Sequence, residues 1–329
     1  MHEILILIIV LAVLFDVANG WHDCANAIAT VVSTKVLSPM MAVVLAASMN
    51  ILGAFFSTAV AKTVGSGIVA PSAVTDTVII SALLSAILWN LITIIMGLPV
   101  SSSHALFGGV AGAAVAYRGL SILNGGGIIK ILTSLLISPL LGFVIGYVFM
   151  KLVLSLFGHL SPSIISRYFG RLQILSSSLM AFGHGSNDAQ KAMGIITMAL
   201  VASGKLPSLE VPKWVVVICA LAMGFGTVFG GWKIIKTLGH KMLKLEPIHG
   251  FAAETSSTLI IVTASHWGLP VSTTHVVSTA ILGVGATKRL SAVRWGIAGK
   301  IVMAWVLTLP ACIAMAWGIQ HLLSLYHIG

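Results

Sequence analysis

The sequence predicts an all-α integral membrane protein of two repeats, with broken helices and re-entrant hairpins among about 10–12 membrane segments. Three observations carry this. First, 58% of the 329 residues are hydrophobic and 8% charged, whereas soluble domains carry about 25% charged residues; the mean hydropathy is +1.07. Second, uncharged stretches recur at 4–15, 36–61, 77–117, 131–150, 214–232 and 301–320, several exceeding the ~20 residues of a bilayer span. Third, Gly97-Leu98-Pro99-Val100-Ser101-Ser102-Ser103-His104 recurs as Gly268-Leu269-Pro270-Val271-Ser272-Thr273-Thr274-His275, with Ser/Thr exchange as the only difference.

Along the chain, residues 4–18 read as an apolar helix stalling at Asn19-Gly20, followed by a second helix to about residue 34. A long helix over about 40–61 ends at Lys62-Thr63-Val64-Gly65, and a Gly/Pro/Ser loop follows. A helix over about 76–96 runs into the first Gly-Leu-Pro-Val break, then come a Gly/Ala-rich helix to Tyr117 and a span within 125–157. A polar linker, 159–171, separates a first repeat (1–158) from a second (172–329). In the second repeat, Gly185-Ser186-Asn187-Asp188-Ala189 answers the region of Asp23, Lys236-Thr237-Leu238-Gly239 answers Lys62-Thr63-Val64-Gly65, and a last helix covers about 294–323. The offsets are 165 for Asp23/Asp188, 174 for Lys62/Lys236 and 171 for Pro99/Pro270. Near-constant offsets mean shared architecture. Inverted repeats with broken helices meeting at the midplane are the common transporter form of such a duplication.

Each Gly-Leu-Pro-Val phrase breaks one helix and starts another at Ser/Thr, leaving first-turn amides without acceptors in the chain. Helix N-termini of this kind bind anions. Ser101, Ser102, Ser103, Ser272, Thr273 and Thr274 are therefore the candidate oxyanion residues, beyond ordinary capping. His104 and His275 follow as supporting positions, able to bind the anion or to bridge helices.

Four acidic residues, Asp16, Asp23, Asp188 and Glu254, lie in or beside apolar segments. A carboxylate at membrane depth is costly unless paired, protonated or bound to a cation. Asp23 and Asp188 occupy matched positions and are expected to line an ion or substrate site. Asn26 and Gln190 offer neutral oxygens nearby, and His22, His184 and Asn187 flank the pair. Lys191, three residues after Asp188, can pair with it on one helix face or snorkel to the interface, a structural role.

Other classes fit poorly. The +10 net charge lies between apolar runs rather than on one face, so positive-inside topology accounts for it and nucleic acid does not. Three scattered cysteines suggest neither disulfides nor a metal cluster. Met1-His2-Glu3 lacks the basic start of a signal peptide. No P-loop is present, and Ser, His and Asp in duplicate do not form the single asymmetric constellation of an enzyme. No cluster of His and carboxylates with dedicated metal-ligand character is apparent. An anion channel using the same groups stays open, as does sulfate or another oxyanion as substrate.

The first Asp motif (20–27), its counterpart (185–192), Gly250-Phe251-Ala252-Ala253-Glu254-Thr255-Ser256 and the Gly-Leu-Pro-Val phrases together resemble the inorganic phosphate transporter (PiT) family over nearly the whole chain. The resemblance implies a duplicated inverted fold with re-entrant hairpins and symport of inorganic phosphate, as the free ion or as metal-phosphate, with H⁺ or Na⁺. By position it places Asp23, Asn26, Asp188 and Glu254 at coupling-ion sites, with Na⁺ at the first three, and Ser101–Ser103 with Ser272–Thr274 at phosphate. His22 stands where many members have Asn, and Asn50 where sodium-coupled relatives often carry Glu. With no large central loop, the chain resembles the short prokaryotic branch, often described as proton-coupled and low-affinity. The expected setting is the cell membrane, multi-pass, with no cofactor beyond the coupling ion, the bilayer and phosphate as partners, and a homodimer as the assembly to consider.

Overall fold

The computed structural model describes residues 2–70 and 74–325; residues 71–73 of the expected Gly/Pro/Ser loop lie outside them. Twelve α-helices and no strands are found among the described residues, six before and six after the short connection at residues 158–161. The first six are α1 (His2–Ser33), α2 (Pro39–Ala54), α3 (Ala59–Gly67), α4 (Asp76–Met96), α5 (Ser102–Arg118) and α6 (Gly125–Phe157). The second six are α7 (Pro162–Ala202), α8 (Lys213–Val228), α9 (Trp232–Lys236), α10 (Pro247–His266), α11 (Thr273–Ala286) and α12 (Trp295–Leu325). By length and composition α1, α4, α6 and α12 can each span a bilayer, and the pairs α2/α3 and α8/α9, bent by 75° and 63°, bring the number to six. The remaining membrane segments are hairpin halves and α7, whose centre is polar. Proline sits inside α6 at Pro139 and inside α12 at Pro310, 171 residues apart like the hairpin prolines.

The halves interlock. α1 packs on α8 as α7 packs on α2; α5 packs on α12 as α11 packs on α6; α3 packs on α7 as α9 packs on α1. Each of these three contacts has its counterpart with the halves exchanged. Two apolar clusters flank a polar centre, one around Leu83, Leu106 and Met193, the other around Ile28, Leu238, Ile261 and Val276. Large apolar side chains such as Leu88, Leu136, Leu140, Leu221 and Val306 face outward, as a lipid-facing surface requires.

Three expectations need correction. Asn19-Gly20 does not break a helix: α1 is continuous, and α7 likewise runs through Gly183–Asp188. Gly20 serves a helix crossing instead, since a Cβ there would lie 2.4 Å from the Met223 carbonyl oxygen on α8. The helix begun at residue 39 stops at Ala54 and restarts at Ala59, rather than running to residue 61. Residues 162–171 of the polar stretch form the first turns of α7, started by Pro162, whose fixed φ suits the first helical position; the connection itself is only residues 158–161.

Both hairpin breaks are built alike. Gly97 (φ 69°) and Gly268 (φ 66°) take the left-handed conformation that glycine adopts without penalty. Leu98 N then donates to Thr93 O at 3.0 Å, and Leu269 N to Ala264 O at 2.8 Å. Thr63 on α3 donates to Gly268 O at 2.7 Å, and Thr237, just beyond α9, donates to Gly97 O at 3.0 Å. The bent tip of each half therefore holds the hairpin of the other.

Candidate functional site

The N-termini of α5 and α11 reach the centre of the molecule beside the middles of α1 and α7. Ser101 and Ser272 are the N-caps, their hydroxyls each accepting from the histidine amide three residues on at 3.2 Å. The amides of the following residues have no acceptor within their own helix, so two sets of N–H donors are presented at the tips.

Asp23 on α1 joins both tips. Ser102 donates to its Oδ2 at 3.0 Å, Thr274 donates to its Oδ1 at 3.3 Å, and His22 Nδ1 lies 2.6 Å from Oδ1. Asn26, one turn further, donates to Thr274 Oγ1 at 2.9 Å. On α7, Asp188 Oδ2 accepts from Thr273 at 3.3 Å and lies 2.9 Å from Lys191 Nζ. Ser102 and Thr273 are repeat equivalents, so Asp23–Ser102 and Asp188–Thr273 are the same bond made twice. Every one of these side chains is buried. Asp23, Asn26, Asp188, Ser102, Thr273 and Thr274 thus meet in one place.

Other candidates stand apart. Ser103 donates to Val271 O at 3.2 Å, tying the two hairpins together. Asn187 donates to Ser265 Oγ at 3.0 Å, bracing α7 on α10. His104 and His275 face each other with ring centroids 4.8 Å apart, and His275 stacks on Trp305 at 3.9 Å. They border a pocket of about 310 Å³ lined by Leu132, Leu135 and Pro139, and among the described residues neither ring bonds to Asp23 or Asp188. Gln190 is turned away: its Oε1 accepts from Ala61 N at 3.1 Å. Glu254 belongs to a second polar cluster, accepting from Thr30 at 2.5 Å, Gln173 at 3.0 Å and Ser176. Thr30 is seven residues beyond Asp23, about 10 Å along α1.

Three features go further than the sequence reading. His184 Nε2 lies 3.5 Å from Asp188 Oδ2, and one ligand atom from each of Asp23, His184 and Asp188 falls within 4.8 Å of the others, so a His/carboxylate cluster does form where none was expected. The two aspartates are 165 residues apart, and only the interlocking of α1 and α7 joins them. Asp16 and Asn19, one to two turns before Asp23, are fully buried with no partner for their side-chain polar atoms. Lys191 forms the ion pair with Asp188 that its spacing allows, and it also reaches Ser102 Oγ; an offset of 165 places it opposite Asn26.

A model described as the phosphate transporter family matches residues 19–316. The chain belongs to that family. A probable low-affinity inorganic phosphate transporter of Bacillus subtilis is 49% identical over 93% of this chain and 92% of its own length. One from Rhizobium meliloti is 48% identical over 94% and 93%, and one from Mycobacterium tuberculosis 41% over 98% and 79%. Among solved structures, one described as the sodium-dependent phosphate transporter superposes with a TM-score of 0.91 at 26% identity, covering 98% of this chain and 99% of that one. The relatives are transporters, not enzymes, and this family member is a multi-pass helical membrane protein.

Proposed function

We propose that this family member is a secondary active symporter that carries inorganic phosphate together with H⁺ or Na⁺ across the cell membrane. The observation that carries this reading is the meeting of both hairpin tips on Asp23. Free amides and the hydroxyls of Ser102, Thr273 and Thr274 suit an oxyanion, while the adjacent carboxylates demand cations. Anion and cation therefore stabilise one another's binding, the thermodynamic basis of symport. Asp23, Asn26 and Asp188 are the central coupling-ion residues, and Glu254 is a separate station along α1. In each half α1 or α7, one bent pair and α6 or α12 cross the membrane, while the hairpin, α4–α5 or α10–α11, enters and returns; α4 has the length and composition of a span but serves as the entering arm of the first hairpin. Three crossings per half give the first half, ending at 158, and the second, beginning with α7 at Pro162, opposite orientations, the inverted arrangement that supports alternating access.

Radiolabelled phosphate uptake into proteoliposomes tests the reading, with Na⁺ and pH gradients imposed separately and sulfate as competitor. Accumulation under one gradient names the coupling ion; equilibration without accumulation means a channel. The grouping of Asp23, His184 and Asp188 favours one second reading, transport of phosphate with a divalent cation. In that case uptake requires Mg²⁺ or a similar ion and stops on chelation.

The hydroxyls separate by role. Ser101→Ala and Ser272→Ala remove caps and lower stability by about 1 kcal/mol each, with phosphate affinity nearly unchanged. Ser102→Ala and Thr273→Ala instead weaken phosphate binding by roughly tenfold. Equilibrium binding and thermal unfolding of the four variants tell the roles apart.

A further inference from the structure

The two halves of the site differ at several matched positions, His22/Asn187, Asn19/His184 and Asn26/Lys191, and the last exchanges an uncharged side chain for a lysine. Asn26 on α1 and Lys191 on α7 are repeat equivalents, three residues after Asp23 and Asp188 respectively. One contact is equivalent too: Asn26 reaches Thr273 Oγ1 at 3.5 Å, beside its shorter bond to Thr274, and Lys191 Nζ reaches Ser102 Oγ, the matched hydroxyl of Thr273, at 3.1 Å. A neutral amide in one half is thus an ammonium in the other.

That ammonium is fully buried. Its Nζ lies among hard oxygen atoms, with Asp188 Oδ2 at 2.9 Å and Ser102 Oγ at 3.1 Å, while Thr273 Oγ1 contacts the same carboxylate oxygen. Asp188 Oδ1 has no partner. Carboxylate and hydroxyl oxygens are donors suited to a hard metal cation. Here a tethered –NH₃⁺ takes its place. Of its three donors, two are accounted for by Asp188 and Ser102.

We infer that Lys191 is a resident cation: its ammonium fills, in the second half of the site, the position a free monovalent metal cation would otherwise occupy, and it supplies positive charge to the bound oxyanion. Resting on the phosphate-symport reading, this assigns the exchangeable coupling ion to the Asp23–Asn26 half. Phosphate then binds with one fewer free cation than a site with a neutral residue at 191 would need. The fixed charge also pins the α5 tip to α7 through Ser102, so the Asp188 half is pre-organised in the absence of substrate.

The test compares wild type with Lys191→Asn, which copies the residue of the first half, and Lys191→Met, which removes the charge and offers no oxygen. Thermal unfolding of purified protein is followed without phosphate, in NaCl against choline chloride at equal ionic strength. Lys191→Asn is expected to gain a Na⁺-dependent rise in Tm beyond that of wild type, because a ligand that binds only the folded state stabilises it; Lys191→Met is not. In binding assays with radiolabelled inorganic phosphate, Lys191→Asn loses roughly tenfold to a hundredfold in affinity in choline and regains most of it in Na⁺, whereas Lys191→Met is not rescued. A Na⁺ response of Lys191→Asn equal to that of wild type overturns the inference, as does an equal gain by Lys191→Met.

If the single variants fail to fold, the charge-neutral pair Asp188→Asn with Lys191→Met removes both buried charges together, which avoids an unpaired ion. Wild-type phosphate affinity in that double variant reduces the pair to a structural strut and overturns the inference; loss of binding with an unchanged Tm upholds it. The Na⁺-dependent Tm is read without phosphate. Failure of wild type to bind phosphate therefore defeats the functional reading while leaving the resident cation testable.

Discussion

Asp23→Asn is expected to abolish gradient-driven phosphate uptake in a protein that still folds and inserts. The Asp23 carboxylate accepts from Ser102 on one hairpin and Thr274 on the other, with His22 Nδ1 at 2.6 Å. An asparagine keeps the shape but turns one acceptor into an –NH₂ donor, so at least one hydroxyl or ring nitrogen meets a group that cannot accept. Hydrogen bonds to a charged group contribute about 1.5–3 kcal/mol each, and every 1.4 kcal/mol is tenfold in affinity. Loss of one bond and of the negative charge that recruits the coupling ion together predict a fall in uptake of about a hundredfold or more. Uptake and thermal unfolding measured on the same preparation decide the matter; wild-type accumulation would remove Asp23 from the site. Asp188→Asn serves as an instructive contrast. It also leaves the buried Lys191 ammonium without its counter-ion, and breaking a buried pair costs about 3–5 kcal/mol. Transport should therefore fail in both variants, but a large drop in Tm should accompany only the second.

That contrast marks where the sequence is legible. The hairpin tips could be read because their information is local: Gly and Pro stop a helix, Ser or Thr starts the next, and the eight-residue phrase occurs twice. Asp23 and Asp188 could be read because a carboxylate in an apolar run is costly and duplication makes accident implausible. What escaped reading was long-range. Gly20 looks like a helix breaker in a one-dimensional text, since nothing near it announces that α8 will pass within 2.4 Å of its absent Cβ. His184 joins Asp23 only because α1 and α7 pack together. Glu254 was placed with the coupling residues through the family resemblance, yet it bonds to Thr30, Gln173 and Ser176, whose proximity no spacing encodes. Lys191 is the instructive case. Its pairing with Asp188 is legible from the i,i+3 spacing, but its equivalence to Asn26 lies in the 165-residue offset and is hidden by the chemical likeness of Asn26 to Gln190.

The largest structural effect is expected at the glycines where the halves interlock. On the α2–α7 crossing, a Cβ at Gly53 would stand 2.0 Å from Phe182 O, and one at Gly185 would stand 2.2 Å from Asn50 O. On the equivalent α1–α8 crossing the values are 2.4 Å for Gly20 against Met223 O and 2.1 Å for Gly226 against Val17 O. In all four cases the obstacle is backbone on the facing helix, which cannot rotate aside as a side chain can. Small residues permit this approach, and packing between helices is a principal source of cohesion in a bilayer. Gly53→Ala or Gly185→Ala must therefore push α2 and α7 apart, and overpacking of this kind costs about 1–3 kcal/mol and sometimes more. The damage extends to function, because α7 carries Asp188 and Lys191 only a turn or so beyond Gly185. Tm should fall sharply and uptake should be lost with it. Gly299→Ala and Gly318→Ala on α12 supply the control, since a Cβ at either meets nothing within 4 Å. There the substitution should leave Tm unchanged or raise it, as alanine is favoured over glycine within a helix by roughly 0.5–1 kcal/mol. Equal losses in the crossing and control variants would show that helix propensity, not the close approach of α2 and α7, governs these positions.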